Sequence, residues 1–119
     1  MDYRVVLSSS ARADIRSIIR YISDDNPNRA MTFGRQLILE TKKLAKFPEL
    51  GRVVLEIGDR LIREIIVRRN YRVVYRVNHE QKLIEVVRFW HAARGSSRTE
   101  VIEISKLLLN GFRLPSRLR

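Results

Sequence analysis

Ala11, Ile15, Ile18, Ile19 and Ile22 recur at the i, i+3, i+4, i+7 spacing of one helical face, while Arg12, Arg16 and Arg20 fall four apart on another. The pattern predicts an amphipathic helix entered through Ser8-Ser9-Ser10, whose hydroxyls can cap its first turn. Ahead of it, Tyr3 to Leu7 is a short β-prone run. Asp24-Asp25-Asn26-Pro27-Asn28 breaks the helix, and Pro27 suits the first turn of a second one. In that helix Ala30, Phe33, Leu37, Thr41 and Leu44 make one stripe, and Phe47-Pro48 is the stop. Two helices joined by so short a break predict an antiparallel hairpin.

After Pro48 the period changes from helical to extended. Glu49-Leu50-Gly51-Arg52 reads as a turn, Val53 to Ile57 as a short strand, Gly58-Asp59-Arg60 as a second turn and Leu61 to Arg68 as a longer strand. Residues 71–77 and 84–94 then read as two strands joined by a polar turn, with β-branched and aromatic residues alternating with arginine. That alternation predicts a sheet dry on one face and cationic on the other, with Arg72, Arg76, Arg88, His91 and Arg94 brought to one end. In the last strand Ile84, Val86 and Trp90 share parity with Arg88, so alternation alone does not say which side is buried. The expected fold is α+β: an N-terminal strand, a helical hairpin on one face, then a three- to four-stranded, mostly antiparallel sheet.

A chain of 119 residues has room for one modest core. Its formal net charge is +11, of which +8 lies in residues 1–95, with 19 Lys and Arg against 11 Asp and Glu. The charge belongs mainly to the body of the domain, and the expected ligand is RNA, DNA or an acidic protein. The absence of cysteine excludes disulfides, thiolate zinc sites and cysteine nucleophiles. No run approaches the roughly 20 apolar residues of a membrane span, and Met1-Asp2-Tyr3-Arg4 opens no apolar leader segment, so the expectation is a cytoplasmic protein. No cofactor or metal is expected.

Several residues taken together resemble a known family: Ala11-x-x-Asp14-Ile15, Ile18-x-x-Tyr21-Ile22, Ala30 with Phe33, Leu44 before Pro48-x-x-Gly51-Arg52, Tyr71-Arg72-Val73-Val74-Tyr75, and His91-x-x-Arg94. Over about residues 1–95 this order is similar to the RelE/ParE toxin superfamily of bacterial toxin-antitoxin pairs. The resemblance implies a toxin domain over 1–95, with 96–119 as a C-terminal extension.

The two branches of that superfamily imply different chemistry. RelE-type toxins cut messenger RNA on the ribosome, and ParE-type toxins poison DNA gyrase without acting as nucleases. RNA cleavage by a 2′-hydroxyl needs a proton acceptor, cations for the phosphate and a donor for the leaving oxygen. Arg72 and Arg88 could clamp phosphate, His91 could serve as acid or base, and Glu56 or Glu64 could be the base. Plainer readings stand beside these: Arg72 and Arg76 as a solvated strand face, Glu64 as a partner for a neighbouring arginine, Glu56 as turn surface, and His91 as an exposed strand end. The ending Phe89-Trp90-His91-Ala92-Ala93-Arg94 is closer to the ParE-like pattern, in which histidine precedes small and basic residues. On that branch Arg72, Arg76, Arg88, His91 and Arg94 would grip gyrase or its DNA complex.

Both branches imply a small acidic antitoxin that folds over the toxin, with Ile19, Phe33, Leu37, Trp90 and Leu108 as the expected contacts. Beyond the resemblance, Val101, Ile104 and Leu108 fit a short helix stopped by Asn110-Gly111, and Leu114 to Arg119 reads as a basic end. A third reading is a basic nucleic-acid-binding or antitoxin-binding module with no toxicity.

Overall fold

The structure, a computed structural model, describes residues 2–55 and 57–91. Strand β1 (Arg4–Leu7) leads into α1 (Ser9–Ser23) and α2 (Pro27–Thr41), which runs on through a 3₁₀ turn over Lys42–Ala45. Strands β2 (Arg52–Val53), β3 (Ile62–Val67), β4 (Tyr71–Asn78) and β5 (Leu83–His91) complete the order. The sheet runs β1-β5-β4-β3-β2, with β1 parallel to β5 and all other pairs antiparallel. The α+β architecture is the expected one. Glu56, Arg94, Leu108 and the whole 96–119 extension lie outside the described residues.

Both helix starts are set locally. Ser8 accepts a hydrogen bond from the Ala11 N–H, and its own hydroxyl donates to the Val87 carbonyl, so one residue caps α1 and ties it to β5. Asn26 caps α2 through the Arg29 N–H, with Pro27 in the first turn. The helices meet at Gly34, where a Cβ would fall 2.6 Å from Ile19 Cδ1. Their inner faces and one side of the sheet form the main core, which includes Ala11, Ile15, Leu37, Leu44, Val73, Tyr75, Ile84, Val86 and Phe89. Each large aliphatic side chain fully buried there contributes about 1.5–3 kcal/mol.

The chain between α2 and β3 is pinned from the core. Tyr75 donates its hydroxyl to the Pro48 carbonyl (2.8 Å) and accepts the Gly51 N–H (2.9 Å). Gly51 is required for that approach, because a Cβ would stand 2.5 Å from the Glu64 carbonyl oxygen. The strand expected over Val53 to Ile57 is only Arg52–Val53. The Val54 N–H still reaches the Ile62 carbonyl, but Ile57 and Gly58 then donate back to Val54 and Leu55 in successive turns, which ends the pairing.

Two features of the long hairpins escape simple alternation. In the connection from β3 to β4, Arg68 and Arg69 both have left-handed backbones, with φ of 51° and 66°. Opposite Val74 and Tyr75, β5 places Arg88 and Val86, so Val87 is an extra residue in the ladder. This bulge shifts the phase of β5. Ile84, Val86 and Phe89 face the helices, while Val87 and Trp90 join Val54, Ile62 and Val74 in a second buried cluster on the other side.

Candidate functional site

The arginines of β4 and β5 lie among carboxylates. Glu64 of β3, only 5% exposed, receives Arg72 Nε at 3.0 Å and is also paired with Arg52. Trp90 lies between two guanidinium groups, that of Arg72 at 5.7 Å from its ring centroid and that of Arg88 at 4.7 Å. Arg88 in turn forms a two-pronged pair with Asp14 of α1, at 2.8 and 2.9 Å. Arg52, Glu64, Arg72, Trp90 and Arg88 thus form one connected chain of contacts across the side of the sheet opposite the helices, and it ends at the edge of β5 on Asp14 of α1.

Arg76 has a separate partner. It stands directly opposite Glu85 in the ladder, and its Nε donates to Oε1 at 2.8 Å. Glu85 is 1% exposed, and its Oε2 is buried with no hydrogen-bond partner among the described residues. Burial pushes this carboxyl above its ordinary pKa, against the opposing pull of Arg76. The sequence pattern had suggested a cationic, solvated face. The face instead carries ion pairs and an apolar cluster, because Asp14, Glu64 and Glu85 arrive there from three different elements.

His91 belongs elsewhere. It pairs with Tyr71 across the β4–β5 ladder and packs edge-on against that ring at 5.3 Å. Together with Ser17, Ile18, Tyr21, Ile22 and Tyr71 it lines a cavity of about 450 Å³ on the α1 side of the sheet. A neighbouring cavity of about 480 Å³ shares Tyr21, Ile22 and Tyr71 and adds Phe33, Arg29 and the turn residues Asp24, Asp25 and Asn26. Burial, and the nearby Tyr21 phenol, raise the Tyr71 pKa. Arg72 and Trp90, the next pair along the same ladder, point to the opposite face.

Of the expected antitoxin contacts, Phe33 lines this second cavity and Ile19 is half-buried against Gly34. Leu37 is fully buried in the core, and Trp90 is 3% exposed on the other face. The four therefore do not make one surface. Sequence reasoning did not assign site roles to Asp14, Arg52, Tyr21, Tyr71 or Glu85. Asp14 had a signal: it lies three residues after Ala11 and four before Ile18, inside the apolar stripe, where a carboxylate needs a partner. Glu85 had one too, since alternation sets it among apolar neighbours in the last strand.

Among the described residues no group of three or more His, Asp or Glu side chains is placed to hold a metal ion. No helix in that set is long and apolar enough to cross a membrane.

The family model described as the ParE toxin of the type II toxin-antitoxin system parDE matches residues 5–95. Among solved structures, the chromosomal ParDE toxin-antitoxin system from P. aeruginosa is similar, with TM-score 0.61 and 19% identity over 75% of this chain and 95% of that one. The toxin-antitoxin complex RelBE2 from Mycobacterium tuberculosis is also similar, with TM-score 0.53 and 20% identity over 76% of this chain and 99% of that one. At these identities the two structures speak for the fold. A search of curated proteins returns no match.

Proposed function

From the premise that this chain belongs to the ParE toxin family of type II toxin-antitoxin systems, we propose that it arrests growth by binding and poisoning DNA gyrase. In this reading it performs no chemistry of its own, and a cognate antitoxin holds it inactive. The observation that carries the reading is the division of the candidate residues between the two faces of the sheet. Arg72 and Trp90 face one way, while His91 and Tyr71 face the α1 side. A nuclease built from Arg72, Arg88 and His91 would need all three around one phosphate. Glu64, a candidate base, is held between Arg52 and Arg72, which occupy both of its oxygens.

A protein-binding surface has no such requirement. The similar structures are toxin-antitoxin complexes, which supports an antitoxin partner here, and a net charge of +11 suits one that is acidic. The test is induction of the chain in bacteria with two readouts, plasmid supercoiling and integrity of translated message. Accumulated cleaved DNA with intact message is expected, with growth restored by co-expression of the neighbouring antitoxin gene. Cut message with normal supercoiling would overturn the proposal in favour of a ribosome-dependent endonuclease. Unimpeded growth would leave a non-toxic binding module.

A further inference from the structure

Three arginines of the sheet are ion-paired where they stand: Arg72 with Glu64, Arg76 with Glu85 and Arg88 with Asp14. The uncompensated charge lies elsewhere. Residues 9–46, which hold both helices, carry eight Lys and Arg against four Asp and Glu. Two of those four are already committed, Asp14 to Arg88 and Glu40 to Lys43.

Arg12, Arg16 and Arg20 are exposed along α1, and none forms an ion pair or side-chain hydrogen bond among the described residues. Successive members stand four residues, or about 6 Å of helix, apart, and like charges at that interval repel one another. Arg12 closes the first turn, where the helix dipole disfavours a cation and no acidic residue offsets it. The stripe therefore weakens the helix that carries it. A face kept only for solubility needs no such arrangement, since a glutamate in place of Arg16 would turn both repulsions into attractions.

The residues beside the stripe decide what it fits. Ser9, Ala13 and Ser17 run next to it at the same interval, all small and all exposed, and no large apolar side chain is exposed on α1 before Tyr21 in the last turn. Ile19 packs on Gly34 of α2, and past that seam Arg35 and Lys42, seven residues apart, add two exposed cations that have no ion pair among the described residues. A protein partner requires a desolvated apolar anchor, which the stripe lacks. Guanidinium forks with serine hydroxyls among them are the donors that phosphate oxygens take.

We propose that the outer face of α1 binds the sugar-phosphate backbone of duplex DNA through Arg12, Arg16 and Arg20, with Arg35 and Lys42 extending the contact onto α2. The choice of DNA over RNA rests on the gyrase reading above. Such contacts position a protein on the duplex and carry no sequence preference. They hold the chain against the DNA that gyrase is cleaving and leave other surfaces to meet the enzyme.

The experiment follows binding of the full chain to a short fluorescent DNA duplex over a range of salt, with melting temperatures and gyrase cleavage assays in parallel. Arg12→Gln, Arg16→Gln and Arg20→Gln together are expected to weaken binding at low salt by about tenfold or more, to reduce the slope of log affinity against log salt by about 2–3, and to leave the melting temperature unchanged or raised. The charge-matched variant Arg4→Gln, Arg60→Gln, Lys82→Gln, at exposed positions off the helices, is expected to change that slope by less than about one. Each single replacement in the stripe should take about one from it, which keeps the test open if the triple variant folds poorly. Equal losses in the two triple variants, or no binding by the wild-type chain at low salt, overturn the proposal. A same-sequence RNA duplex bound more tightly through these arginines overturns the choice of DNA, and poly-glutamate bound in preference to either duplex assigns the face to an acidic protein. Duplex binding through the stripe without accumulation of gyrase-cleaved DNA overturns the gyrase reading and leaves the stripe standing. Gyrase poisoning in which the stripe variant keeps wild-type potency and DNA affinity overturns the stripe alone.

Discussion

Asp14 and Arg88, 74 residues apart in the chain, are joined by two parallel hydrogen bonds, and Asp14 also accepts the main-chain N–H of Phe89. β1 ends at Leu7, opposite Val86, and among the described residues no strand lies beside the outer edge of β5 beyond that point. The Asp14 carboxylate takes the place of one there. Asp14→Ala should therefore cost about 2–3 kcal/mol, more than a surface ion pair. Asp14→Asn, which retains an acceptor for Phe89, should cost less. Denaturant unfolding checks both, and a double-mutant cycle with Arg88→Met should give a coupling well above that of an exposed pair. Additive losses would mean that the pair does not act as a unit.

Tyr75 ties the Pro48–Gly51 segment to the core through a donated and an accepted hydrogen bond. Tyr75→Phe leaves both the Pro48 carbonyl and the Gly51 N–H without that partner, at about 1–3 kcal/mol. Gly51→Ala should do at least as much damage, because the new methyl group meets main-chain atoms of β3 that cannot swing aside. Thermal melts of the two variants measure this directly.

Glu85 gives a pH signature of unusual sign. Its carboxyl pKa is raised in the folded protein, chiefly by burial, so between the ordinary value of 4.5 and the raised one the folded state binds more protons than the unfolded state. Its contribution to stability therefore falls as pH rises through that interval, by at most about 1.4 kcal/mol per pH unit. Glu85→Gln should remove this slope. The stability difference between wild type and the variant, followed upward from pH 4, isolates the effect from the other carboxylates.

Arg68 and Arg69 adopt backbone conformations that a side chain tolerates poorly. Arg68→Gly or Arg69→Gly should raise stability by about 1 kcal/mol. If the same variants lose toxicity, the two arginines are kept for their charge at the expense of stability. Toxicity at wild-type level would make the turn a matter of folding alone.

Much of this architecture is legible in the residues. The isoleucine stripe of α1, the serine before it, Pro27 and the Pro48 stop all speak through local rules, and each acts over fewer than four turns of chain. The sheet face was harder. Arg72, Arg76 and Arg88 alternate with apolar residues as a solvated stripe would, and their partners Glu64, Glu85 and Asp14 are neighbours only after folding. Arg76 and Glu85 came nearest to being readable, since they are directly opposed in a hairpin. The separation of His91 from Arg72 follows from a simple fact of strands: successive residues face opposite ways, so the pairs 71–91 and 72–90 cannot share a surface.

The extra residue at Val87 makes β5 a strand written in two reading phases. Before it, even-numbered apolar positions belong to the helix side; after it, Phe89 takes that side and Trp90 the other. A chimera spliced from two relatives inside this strand would keep its sense only if the residue count across the splice were preserved. One residue lost there would leave composition and hydrophobicity almost untouched, yet send Trp90 into the helices and turn Phe89 out towards the arginines.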